Sequence, residues 1–108
     1  MARVSDLPKL TVPSMSLEDD DTVARVLPER LNALNDLALT LKHIHWNVVG
    51  PDFIAVHQML DPQFTAVRAM VDVTAERIAT LGASPVDTPG ALVAERTWDD
   101  HSIGRAGA

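Results

Sequence analysis

Five side chains in the middle of this 108-residue chain are of types that bind metal ions: His45, His57, Asp61, Asp72 and Glu76. Imidazole and carboxylate donors without sulfur suit Fe(II), Mn(II) or Zn(II), and carboxylates that bridge two ions suit redox chemistry on a pair of irons. The chain contains no cysteine, which excludes thiolate ligands, thiol nucleophiles and disulfides. On a helical wheel with His57 at zero, Asp61 falls at about 40°, Asp72 at about 60° and Glu76 at about 100°, so the four share one face. Along the axis, Asp61 and Asp72 are roughly 16 Å apart at 1.5 Å per residue, too far to share an ion. One chain therefore carries two half-sites.

Positions 57 and 76, and positions 61 and 72, are symmetric about one point between residues 66 and 67. A copy of the helix packed antiparallel across a two-fold axis at that point sets His57 opposite the partner's Glu76 and Asp61 opposite the partner's Asp72. Two identical mixed sites then form per dimer, with His45 adding a nitrogen to the nearby half-site. Each segment also has a purely structural reading. Arg68 and Asp72 are spaced as a helix-surface ion pair, His57 and Asp61 as a simple i,i+4 pair, and His45 suits a hydrogen-bonded core histidine. His43 and His101 read as solvated. Trp46 and Trp98 are packing residues first, with Trp46 placed to shield a metal site from water.

The elements that must position these residues are helical. Leu27, Leu31, Leu34, Ala38 and Leu41 recur at alternating intervals of four and three, and His45 continues the same face. This predicts a long helix from about Thr22, capped by the acidic run at 18 to 21, or from Pro28 if that proline marks the start. Asn47, Gly50 and Pro51 make its stop. A second helix from about Asp52 to Leu81 carries Phe53, Val56, Leu60, Phe64, Val67, Val71 and Ile78 as its apolar stripe, ends at Gly82, and is expected to bend at Pro62. Joined by a short turn, the two form an antiparallel hairpin. Residues 82–108 read as a loop with a short helix around Gly90 to Arg96, and no strand pattern appears. Residues 1–20, with Pro8, Pro13 and no periodicity, read as a mobile tail. The expected division is thus a tail at 1–20 and one domain at 21–108.

Fifteen acidic and nine basic residues give a net charge of −6, which opposes a duplex-binding surface built from the chain as a whole. The tail is no more basic: only Arg3 and Lys9 offset five carboxylates in residues 1–21. Neither a secretory h-region nor a run of about 18 apolar residues is present, so a cytoplasmic location without membrane contact is expected.

The segments "KHIHWNVVG", His57 with Asp61, and "DVTAER" with Asp72 and Glu76 resemble the Dps family of miniature ferritins, with closely matching spacing from 22 to 81. The resemblance implies an all-α, ferritin-like four-helix bundle of which this chain covers the first two long helices and the connecting loop. It implies assembly into a hollow twelve-subunit shell that oxidises Fe(II), preferentially with hydrogen peroxide, stores ferric mineral and often protects DNA. It also implies a di-iron site at a two-fold interface, with His45, His57 and Asp61 from one chain and Asp72 and Glu76 from the other. The chain has no Glu-x-x-His, the signature of di-iron bundles that build their site within one chain. Two competing readings are a noncatalytic helical interaction module, and a nucleoid-binding protein without significant oxidation.

Overall fold

The computed structural model describes residues 16–108, so most of the expected tail lies outside the described residues. Helix α1 spans Leu17–Asn47 and helix α2 spans Phe53–Thr80; a short helix α3, Pro89–Glu95, follows. The two long helices pack as the expected antiparallel hairpin. Their core is Leu31, Val71 and Ile78, surrounded by Leu27, Leu34, Ala75 and Ala83. Leu31 is fully buried, and Leu60, Val67 and Ala38 extend the seam along both helices.

Helix α1 starts about five residues before the expected position. Its cap is Ser16, whose Oγ accepts the Asp19 amide at 3.1 Å. Glu18, Asp19 and Asp20 occupy the first turn, where negative charge opposes the helix dipole. The acidic run therefore lies inside the helix, and residues 17–20 are not tail. Neither proline terminates its helix. Pro28 and Pro62 sit within continuous α1 and α2. Each leaves one carbonyl without its amide partner, but apolar burial on both sides of it, at Leu27 and Leu31 or at Leu60 and Val67, keeps the helix docked.

Helix α2 ends as anticipated. Gly82 takes φ +98°, and the Ala83 amide reaches back to the Ile78 carbonyl at 3.2 Å, so the chain turns through a left-handed residue with its end carbonyls bonded. Helix α3 is capped by Thr88, whose Oγ1 accepts the Ala91 amide, with Pro89 in the first turn.

Strand pairing, unforeseen in the sequence, closes the fold. Val48–Val49 (β1), directly after α1, pairs in parallel with Ala106–Gly107 (β2), and the Ala108 amide donates to the Val49 carbonyl at 3.0 Å. Two-residue strands carry no alternation to read. From α3 to β2 the return segment runs beside α1 in register. Asn32 donates to the Leu92 carbonyl at 3.5 Å, Trp98 Nε1 to Asp36 Oδ2 at 2.7 Å, and the His43 and His101 rings meet edge-on at 6.0 Å. His43, read as solvated, is thus half-buried against the His101 ring, while His101 is itself exposed. Arg96 joins Asp36 to Asp100, at 3.8 and 3.2 Å. Among the described residues, no helix is long and apolar enough to cross a membrane.

Candidate metal centre

The last turns of α1 and the first turns of α2 meet at His45 and His57. Their rings stack at 3.6 Å between centroids, 19° from parallel. His45 Nδ1 lies 2.7 Å from the His57 carbonyl, and His57 Nδ1 lies 2.8 Å from the His45 carbonyl. A carbonyl oxygen only accepts, so both Nδ1 atoms carry the proton in these bonds. In the neutral ring this tautomer leaves the lone pair on Nε2, the form in which imidazole binds a metal. His45 is therefore the hydrogen-bonded histidine of the structural reading and remains competent as a ligand.

Asp61 lies one turn beyond His57 on α2. It does not pair with His57. Lys42 of α1 reaches across the hairpin and donates from Nζ to Asp61 Oδ1 at 3.0 Å, while the same ammonium stands 4.9 Å from the Phe64 ring centroid. The hydrogen bond and charge of Lys42 hold the Asp61 carboxyl below its ordinary pKa. Desolvation pulls the other way, and His45 and His57 add a smaller lowering. Asp61 thus stands within the electrostatic reach of both imidazoles, as an anion.

Asp72 and Glu76 sit further along α2 on exposed turns, and neither side chain makes a hydrogen bond or ion pair within the described residues. The spacing of Arg68 and Asp72 does not produce an ion pair, because Arg68 turns to α1 and donates to Asn35 Oδ1 at 3.4 Å. The structure thus brings His45, His57 and Asp61 to one end of the hairpin and leaves Asp72 and Glu76 outside that group. Among the described residues, no three histidine or carboxylate side chains are assembled to hold an ion within one chain. Trp46, read as a packing residue, is 70% exposed beside the histidine pair, whereas Trp98 is partly buried. Between the half-sites, the same face of α2 presents Thr65, Arg68 and Ala69, all exposed.

Sequence reasoning missed Lys42. Its signal was the position three residues before His45, which sets it on the turn below the first histidine and facing α2.

A ferritin-like domain model matches residues 25–105. The DNA protection during starvation protein of Mycolicibacterium smegmatis is 57% identical over 95 residues, covering 88% of this chain and 52% of the relative. The fine tangled pili major subunit of Haemophilus ducreyi is 51% identical over 98 residues, with 91% of this chain and 52% of that protein covered. Among solved structures, DpsA14 from Streptomyces coelicolor superposes with a TM-score of 0.86 at 64% identity, over 93% of this chain and 60% of the other. Mycobacterium smegmatis Dps gives the same TM-score at 54% identity, over 93% and 61%. The chain spans about half the length of the curated relatives it matches. With its paired long helices and this set of relatives, the chain belongs to the ferritin-like family, as a homologue of the Dps proteins.

Proposed function

We propose that this chain contributes to an assembly that binds Fe(II), oxidises it with hydrogen peroxide and retains the ferric product, at sites shared between two copies. The reciprocal bonding of His45 and His57 carries this reading. It fixes the orientation of two stacked imidazoles where the helix ends meet, with Nδ1 of each committed to a main-chain carbonyl and Nε2 available to a ligand. Asp61 adds an anionic oxygen, and the partner's Asp72 and the partner's Glu76 complete the set across the two-fold axis.

Iron is both substrate and cargo here. Two Fe(II) ions supply the two electrons that reduce one hydrogen peroxide, with two protons, to two waters. Pairing the ions avoids the one-electron reduction that releases a hydroxyl radical. The chain's own contribution is to orient the two imidazoles through their Nδ1 bonds, to keep Asp61 ionised, and to bring carboxylates from two copies to one site. Removal of iron and peroxide is a route to protecting DNA, the role named for the M. smegmatis relative. The net charge of −6 favours that indirect route over direct contact with the duplex.

Anaerobic titration with Fe(II), followed by addition of peroxide, tests the reading. Saturable binding of one or two ions per site and rapid appearance of ferric absorbance are expected. A chain that binds no Fe(II) would instead be a noncatalytic helical interaction module.

A further inference from the structure

The ammonium of Lys42 is held at Asp61 by two contacts, a 3.0 Å bond to Oδ1 and the face of Phe64 at 4.9 Å. Only one of these is to the carboxylate. The side chain of Lys42 is 27% exposed and that of Asp61 59%, so the pair lies at the rim of the half-site and opens to solvent. A metal ion on Asp61 would sit about 2.0–2.2 Å from a carboxylate oxygen. An ammonium at hydrogen-bond distance from the same group would then be within a few ångströms of a dication, where like charges repel.

We propose that Lys42 is an affinity-setting residue: a tethered cation that occupies the Asp61 carboxylate and must be displaced before a divalent ion can use it. This rests on the proposed metal site and adds a competitor to it. The four-carbon stem lets the ammonium swing outward, and the Phe64 face gives it a contact that does not depend on Asp61. The carboxylate is kept ionised and oriented while no metal is bound, and divalent binding is weaker than the ligand set alone would give. Monovalent cations gain little, since they exchange one unit of charge for another already in place.

Co(II) is a suitable probe, because its binding is followed by d–d absorption without oxidation. Affinity would be measured for the full chain and for Lys42→Gln and Lys42→Arg. Lys42→Gln should bind Co(II) roughly two- to fivefold more tightly, the range expected for an exposed ion pair, and Lys42→Arg should stay within about twofold of the parent. In an Asp61→Asn background, the gain from Lys42→Gln should vanish. Equal or weaker binding by Lys42→Gln overturns the proposal while leaving the metal site standing. An equal gain with and without Asp61 also overturns it, because the effect would then be long-range charge rather than displacement. Failure of every protein, parent included, to bind Co(II) overturns the site and this inference together.

Discussion

His45 and His57 each donate an Nδ1 proton to the main-chain carbonyl of the other, so the two helices of the hairpin are joined by a closed pair of hydrogen bonds under stacked rings. Removing one ring breaks only half of the arrangement. His57→Ala removes a proposed ligand and the bond to the His45 carbonyl, while His45 keeps its own bond to the main chain. The expected cost is about 1–3 kcal/mol of stability, from one hydrogen bond and one ring contact, with helicity retained below the transition. Urea unfolding followed by circular dichroism would measure it, and Co(II) affinity should fall at least about tenfold. Unchanged affinity would remove His57 from the ligand set.

Sharing of the site between copies is tested by rescue. His57→Ala and Glu76→Ala homo-oligomers should each oxidise Fe(II) poorly. After dissociation and reassembly as a mixture, half of the dimers are mixed and one of their two sites is whole, so activity should recover to about a quarter of the parent. Demonstrated subunit exchange with no recovery would mean that each site is built within one chain.

The Lys42 contact makes a prediction about Asp61 itself. Its carboxyl should titrate below the ordinary value of about 3.9, and Lys42→Gln should move the midpoint upward, as read by carboxyl carbon shifts in NMR. A carboxyl whose pKa is lowered on folding favours the folded state above its unfolded value. That contribution is lost as pH falls from about 3.9 through the lowered folded value. The ion pair should therefore be fully formed at neutral pH and disappear only in acid.

Asp36 anchors the return segment by accepting the Trp98 indole proton and facing Arg96. Asp36→Ala should cost about 1–3 kcal/mol, since it leaves the partly buried Trp98 indole without its acceptor and Arg96 with Asp100 alone. Asp36→Asn, which keeps an acceptor oxygen, should cost less. In a Trp46→Phe background the remaining fluorescence comes from Trp98, and a red shift in Asp36→Ala would report its release to water.

Leu31 has no solvent exposure and stands at the centre of the interhelical core. Leu31→Ala should destabilise the chain by about 2–5 kcal/mol through lost burial and the cavity left behind. Thermal unfolding should shift accordingly.

The two long helices were legible because their apolar residues recur at helical spacing, and the stop at Gly82 because only a left-handed residue fits there. The start of α1 was misplaced because carboxylates serve equally before a helix and in its first turn; Ser16 three residues before Asp19 was the sharper cue. Pro28 and Pro62 misled for another reason. A local rule about hydrogen bonding was outweighed by burial on a face that only the folded hairpin creates. At the site, spacing placed the histidines and Asp61 together but gave no hint of their reciprocal bonds, which depend on how two helix ends meet. The return segment was the least legible part. Its contacts pair residues about 60 positions apart through indole, amide and imidazole groups, none of which forms a periodic pattern.

Pairing Val48 with Ala106 closes a loop of 58 residues with only a few hydrogen bonds. The helical hairpin forms from contacts that need little chain closure, whereas this clasp requires α2 and the return segment to be in place first. It should be the last element to form and the first to open. Hydrogen exchange would then show two tiers: slow amides along the seam around Leu31 and Val71, and fast ones at Gly107 and Ala108. Transient detachment of the clasp would release the end of the return segment without unfolding the helices that carry the histidines.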